Sequence, residues 1–274
     1  MRTSPLLGSA GTALVIAHPG HELRVHGWLE HARPTVFVLT DGSGSRGQPR
    51  VTSTSRVLET VGASRGDLYG AVSDRELYAA ILSGGTEWLS AMATSLCDSL
   101  IRRDIRVVAG DALEGFNPAH DLCRHLIDAV VHRCQRVGHL VENFAFALDA
   151  PPGTADHDLP SGRFVHELSD RALERKLAAA HGYEGLEDEV QKALSAWGPS
   201  TFRREVFWRA DVTEASPMAP ADYERYGEDR RSRGVYEQVI RRHEHMDPLV
   251  VALRRFAEQS TRPAHGVLVG PAHT

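Results

Sequence analysis

The feature that most constrains this chain is a series of short, β-rich apolar runs that each stop at a polar turn. Residues 12–17 (TALVIA) end in His18-Pro19-Gly20, and residues 34–40 (PTVFVLT) end in Asp41-Gly42-Ser43-Gly44. Residues 105–109 (IRVVA) run into Gly110-Asp111. Runs this short read as strands buried in a parallel sheet, and the Gly and Pro that follow read as sharp exits. Between the second and third lie helical patterns, including residues 77–101. After the third, residues 120–137 place Leu122, Leu126, Ile127, Val130 and Val131 on one face. Residues 139–148 (HLVENFAFAL) read as a fourth strand. Strands that alternate with helices need crossover connections, so the expected fold class is α/β: a Rossmann-like, mostly parallel sheet with helices on both faces. Such sheets bind ligands beyond the carboxyl ends of their strands. Here those ends carry His18 and His21, Asp41, and the stretch from Asp111 to His120.

Farther along, residues 151–162 (PPGTADHDLPSG) form a loop long enough to be a rim or lid. Residues 171–180 and 186–197 read as helices and residues 202–210 as a late strand. The tail over 220–259 is charged and mostly helical, clearest at 236–245 and 248–258. The expected division is an α/β domain over 1–212 and a helical extension over 213–274, packed on that domain or used to make a homo-oligomer.

Composition limits the function classes. A net charge of −5 offers no basic field for phosphates, so nucleic acid is not the expected partner. No apolar run approaches ~18 residues and no basic leader precedes one, so a soluble, cytoplasmic protein without a membrane partner is expected. The three cysteines, Cys97, Cys123 and Cys134, form no CxxC pair and read as reduced core thiols.

The count that matters is 15 histidines, if some converge. His18 and His21 stand three residues apart where a strand turns toward a helix, with Pro19 and Gly20 to bend the chain between them. Imidazole nitrogen suits Zn²⁺ at ~2.0–2.1 Å, and a catalytic zinc takes three protein ligands. His120, in Asn117-Pro118-Ala119-His120, lies at a helix start after another strand and so on the same rim. HxxH pairs also arise by chance among 15 histidines, so spacing alone makes this trio a candidate whose cofactor would be Zn²⁺ or another divalent metal.

These same segments carry a family resemblance. ALVIAHPGHE is similar to the strand and His-Pro-Asp-Asp-Glu opening of the PIG-L/LmbE-like family, whose members are mostly zinc-dependent de-N-acetylases of amino sugars. VFVLTDGSGS resembles its second strand and Thr-X-Gly turn, and RVLETVG its Arg/Glu-bearing helix. GFNPAHDLCRHLIDAV resembles its Gly-Tyr-His-Pro-Asp-His segment, and LERKLAAAHGYEG with REVF its late Lys-rich helix and Glu-Ser-Phe strand. The order and spacing agree from about residue 12 to residue 210. The resemblance implies metal ligands at His18, His21 and His120, and a substrate-binding arginine at Arg56.

The departures are as informative. His21 stands where the family has an aspartate ligand, which keeps a metal donor and removes a negative charge. Gly20 occupies the place of the general base, and glycine takes no proton. Asn117 replaces a histidine that assists the transition state, and Ala119 an aspartate. Glu22 and Asp41 are the preferred substitutes for proton transfer, with Asp111 and Asp121 as further carboxylates on the rim. Asn117 remains able to donate to an oxyanion. Each has a plainer reading: Glu22 as an acid favoured at a helix start, Asp41 as a turn former, Arg56 as a surface ion pair.

Two functions follow. One is a zinc-dependent hydrolase that removes an acyl group from an N-acylated amino sugar or related small metabolite. The other is a degenerate relative that binds metal, ligand or a protein partner without hydrolysis. A nucleotide-dependent Rossmann enzyme is disfavoured, because no GxGxxG follows the first strand.

Overall fold

A computed structural model describes residues 6, 11–44, 47–149, 151, 163–210 and 220–259. Residues 152–162 of the rim loop expected over 151–162, and the end of the chain after 259, lie outside the described residues.

The central strand β1 (Gly11–Ile16) shows why the chain folds as it does. Its side chains alternate between two apolar layers, both dry. Ala13 and Val15 point into one core, Leu14 and Ile16 into the other. A strand buried on both faces cannot alternate polar and apolar residues, hence the continuous run in the sequence. It pairs in parallel with β2 (Thr35–Thr40) on one side and β4 (Ile105–Asp111) on the other. The sheet extends through β3 (Ser64–Val72) beside β2 and β5 (Glu142–Phe146) beside β4, both parallel. Two antiparallel strands, β7 (Arg204–Arg209) and then β6 (Phe164–Glu167), complete the order β3-β2-β1-β4-β5-β7-β6.

Helices cover both faces. α1 (His26–Ala32) and α2 (Val51–Val61) bring Trp28, Leu29, Leu58 and Val61 to the Leu14 layer. α3 (Asp74–Ser83), α4 (Thr86–Arg102) and α5 (Pro118–Arg136) build the Val15 layer. α6 (Asp170–His181) and α7 (Glu187–Trp197) lie between β6 and β7 in the chain, and α8 (Asp222–Ser232) opens the tail. α9 (Asp247–Glu258) buries Leu249, Leu253 and Phe256 in the same core as α4 and α5. Cys97, Cys123 and Cys134 are buried free thiols. Among the described residues no helix is long and apolar enough to cross a membrane.

Three details differ from the sequence reading. β3 and β6 were not expected. β3 is an edge strand that buries only Leu68 and Val72, so it lacks the apolar run that marks its neighbours. The helical stretch over 77–101 is two helices broken at Gly84-Gly85, where Gly84 adopts φ 69°. In the tail, residues 236–245 are helical only in a wide turn, Arg242–Met246.

The strand order reverses at β1. The chain proceeds outward through β2 and β3, then returns to add β4 and β5 on the opposite side. Crossovers therefore leave β1 and β4 in opposite directions and open a crevice at their carboxyl ends, where ligands bind in this architecture.

Candidate functional site

Three histidines meet at that crevice. His18 and His21 follow β1, and His120 sits in the first turn of α5, which follows β4. Their ring centres lie 5.3 Å (18–21), 5.2 Å (18–120) and 4.5 Å (21–120) apart, all edge to face. The local backbone makes this possible. Gly20 adopts φ 109°, which folds His18-Pro19-Gly20-His21 into a tight bend that an L side chain rarely tolerates. Asn117 caps α5 by accepting the Ala119 N–H at 2.8 Å, and Pro118 occupies the first helical position, so His120 is fixed just inside the crevice.

Two of the rings are held from behind by buried carboxylates. His18 Nδ1 lies 2.8 Å from Thr40 Oγ1 and 2.9 Å from Asp74 Oδ1. The Thr40 hydroxyl already donates to the Ala17 carbonyl at 3.1 Å, so Nδ1 of His18 is the donor in both contacts and carries the proton. His21 Nδ1 donates to Asp111 Oδ2 at 2.9 Å, and the same oxygen accepts the Ala17 N–H at 2.8 Å. The Nε2 atoms of both rings take no part in these contacts.

Asp74 was not singled out in the sequence. It opens α3 behind the capping box of Ser73 and Glu76, and it also accepts the Gly44 N–H at 2.5 Å. Its place beside His18 depends on the unforeseen strand β3. Desolvation pushes its carboxyl up, but the hydrogen bond and charge of His18, with the Gly44 N–H, outweigh it and hold the group well below its ordinary value. Asp111 goes the other way: burial raises it to about 6, against the pull of His120 and the Ala17 N–H. Burial and then the neighbouring imidazoles depress His21 and His120 well below the usual histidine range, so both rings are neutral near pH 7. Neutral imidazole is the form that binds a metal.

The donor set fits a cation in chemistry, though not yet in focus. His120 Nδ1 and Asp111 Oδ1 are buried atoms of this cluster without a hydrogen-bond partner. Leaving such atoms dry costs about 1–3 kcal/mol each, and a bound cation would remove that cost. Imidazoles bound to one zinc at ~2.0–2.1 Å have ring centres about 5 Å apart, close to the spacing here. Even so, no three His, Cys, Asp or Glu side chains among the described residues could hold a metal ion as they stand.

Glu22, Asp41, Asp121, Asn117 and Arg56 hydrogen-bond groups other than the three imidazoles. Glu22 is fully buried, accepts the Gly20 N–H at 2.7 Å, and faces Thr54 and Tyr183; burial raises its carboxyl to about 7. Asp41 accepts the Ser43 N–H at 2.9 Å and shapes its turn. Asp121 accepts the Glu114 and Gly115 N–H groups and shapes the loop before α5. Asn117 Oδ1 is occupied by Ala119 N–H and the Tyr78 hydroxyl, which leaves its NH₂ as the group able to donate. Arg56 is exposed on α2 and pairs with Glu184 at 2.7 Å. The space above Gly20 is filled: a Cβ there would stand 2.3 Å from a methyl of Leu186, on the turn between α6 and α7.

With this geometry in place, the comparison with solved structures becomes specific. The crystal structure of the conserved protein TT1542 from Thermus thermophilus superposes with a TM-score of 0.51 at 20% identity, over 77% of this chain and 99% of that one. The chain has the PIG-L/LmbE-like fold. The A40926 pseudoaglycone deacetylase Dbv21 aligns at TM-score 0.49 and 14% identity, over 76% of this chain and 100% of its own. The zinc-inhibited form of teicoplanin deacetylase Orf2 aligns at 0.47 and 13%, over 73% and 99%. No family model matches the chain, and no curated protein matches it significantly.

Proposed function

We propose that this protein is a zinc-dependent hydrolase that removes an acyl group from an N-acylated amino sugar or a related small molecule. The observation that carries the reading is the trio of imidazoles at the β1–β4 crevice, two of them anchored through Nδ1 on buried carboxylates. Histidine ligands in metal sites characteristically donate their second N–H to a carboxylate, which fixes the tautomer and turns the other nitrogen toward the ion. His18, His21 and His120 would hold the metal, and Asp74 and Asp111 would position His18 and His21. Bound there, zinc would supply Lewis acidity toward a carbonyl and lower the pKa of water to ~7.

The protein's own groups have simpler tasks. Asn117 NH₂, at the start of α5, would donate to a carbonyl oxygen as negative charge gathers on it, a contribution worth about 10²–10³-fold where such a donor has been removed. Glu22 and Asp41 are hydrogen-bonded to the Gly20 and Ser43 N–H groups and not to an imidazole, so neither is assigned the proton. The carboxylates in contact with the cluster are Asp74 and Asp111.

A second reading, a relative that binds metal and ligand without turnover, is favoured by one feature. Gly20 offers no base, and the Leu186 methyl fills the space one would need.

Metal analysis of untagged wild type and His120→Ala by mass spectrometry tests the first reading. Near one zinc per chain, lost in the variant, is expected, together with acetate release from N-acetylated amino sugars. Wild type that stays free of metal after zinc is offered would sink the hydrolase. Full zinc occupancy without acetate release would favour the second reading.

A further inference from the structure

Arg50 is the one guanidinium bordering this site for which the described residues provide no partner. Its backbone leads into α2, with its N–H donating to the Asp41 carbonyl at 2.8 Å. Its side chain runs through a slot between two left-handed glycines. A Cβ on Gly42 (φ 68°) would stand 3.3 Å from Arg50 Nε, and one on Gly185 (φ 88°) 3.1 Å from Arg50 Cδ. The same point over Gly42 is 2.8 Å from Pro19 Cδ, so the guanidinium end of the slot abuts the His18–His21 bend. Its positive charge is felt at the His21 ring.

Nε of Arg50 is buried without a hydrogen-bond partner. Other arginines with a buried, unpaired Nε differ. Arg124 uses its Nη groups on Asn143, Asp128 and the Phe144 carbonyl, Arg133 binds the Phe256 carbonyl and Gln259, and Arg230 lies over Tyr226 and Tyr236. Arg50 has none of these. The neighbouring carboxylates bond other groups: Asp74 and Asp111 Oδ2 hold the histidines, Asp41 its own turn, and Glu22 Oε2 the Gly20 N–H. A planar cation left half-buried beside a reaction crevice suits a planar or tetrahedral oxyanion, which it can take with two parallel hydrogen bonds.

We infer that Arg50 is a specificity-determining residue that binds an anionic group, carboxylate or phosphate, carried by the substrate of the site proposed above. The substrate class is thereby narrowed to acidic N-acylated molecules, with the acidic group on the Pro19–Gly42 side of the scissile amide. Arg56 cannot substitute, because it is turned to solvent and paired with Glu184.

Calorimetric titration separates this from the hydrolase reading, because it needs no turnover. The probes are N-acetylglucosamine, its 6-phosphate and N-acetylmuramic acid, each added to wild type, Arg50→Met and Arg50→Lys. Wild type is expected to bind at least one acidic probe about tenfold or more tighter than the neutral sugar, the size of a hydrogen bond to a charged group. Whichever acidic probe wins distinguishes phosphate from carboxylate. Arg50→Met should erase the preference with the circular dichroism spectrum unchanged, and Arg50→Lys should keep only part of it. The inference is overturned by equal binding of neutral and acidic probes, by binding of none of them, or by a preference that persists in Arg50→Met, which would assign the anion to the metal instead. Absence of acetate release alongside the expected preference would count against hydrolysis alone.

Discussion

Two buried clusters of charge in this molecule are built to opposite ends. The first joins Lys176 of α6 to Glu205 of β7 at 2.8 Å, both side chains nearly inaccessible. Glu205 also accepts the N–H groups of Gly27 and Trp28 at 2.8 and 2.7 Å, and Lys176 donates to the Arg24 carbonyl at 2.7 Å. The two carboxylate oxygens of Glu205 satisfy the start of α1, and the ammonium ties that start to α6. The second is the cluster of His18, His21 and His120 with Asp74 and Asp111, where His120 Nδ1 and Asp111 Oδ1 remain buried and unpaired. A satisfied cluster specifies architecture; an unsatisfied one keeps capacity in reserve for a ligand. Both lie in segments that resemble the same family, so resemblance alone would not have told scaffold from site.

The contrast breaks most sharply at Lys176. Lys176→Met should leave Glu205 buried and uncompensated and cost about 3–5 kcal/mol in urea unfolding. Zinc binding per folded molecule should be unaltered. A loss below about 1 kcal/mol would mean the pair is not the anchor argued here.

Next in size comes a pH effect at Glu22, another buried carboxyl with an unpaired oxygen. Burial raises it from 4.5 to about 7 in the folded protein, so the folded state binds its proton more tightly than the unfolded chain does. Its contribution to stability is therefore complete below pH 4.5 and is lost as pH rises to about 7, amounting to about 3 kcal/mol. Glu22→Gln cannot ionise. In the presence of a chelator, the difference between wild type and variant should shift in the variant's favour by that amount between about pH 4.5 and about pH 8. A difference that stays flat would place the Glu22 carboxylate in a better-solvated setting than the one described.

How much of this was legible beforehand follows the physics of each signal. β1, β2 and β4 announced themselves because strands buried on both faces must be apolar throughout, and α5 because one face packs on the sheet. β3 did not: its exposed Ser64, Arg65 and Asp67 read as a linker. That omission hid Asp74, since a residue just past an unrecognised strand has no reason to be placed beside His18. The three histidines were readable because strand ends converge in this architecture whatever the intervening sequence. Residue roles inferred from family position fared differently. Arg56 occupies the expected helix yet faces Glu184, while Arg50, just before that helix, borders the crevice. Which face of α2 meets the site depends on how Tyr183 and Glu184 dock on it, through Thr54 at 2.7 Å and Ser53 at 3.2 Å. No local pattern encodes that contact.

The positioning carboxylates give a smaller and more diagnostic effect. Asp111→Asn keeps the shape of the side chain and removes its charge, and its amide can present an N–H where His21 Nδ1–H needs an acceptor. Zinc affinity measured by competition with a chelator should fall about 10–100-fold, the usual consequence of removing such a partner. Asp74→Asn should act in the same way through His18. Affinity unchanged in both variants would mean that the imidazoles need no orientation from behind, and the parallel with metal centres would fail.

The smallest effect is expected at Arg56. Its pair with Glu184 joins two exposed side chains, one on α2 and one just beyond the end of α6, where water competes for both charges. Such pairs contribute about 0–1 kcal/mol, so Arg56→Ala should move the unfolding midpoint little and leave zinc affinity as it was. Sugar binding by the same calorimetry should also be unchanged, in contrast to Arg50→Met. A variant at Arg56 that loses ligand binding while its fold and metal persist would reverse the assignment of the two arginines. It would also mean that Glu184 releases Arg56 when substrate arrives, and that the turn carrying Tyr183 and Leu186 moves with it.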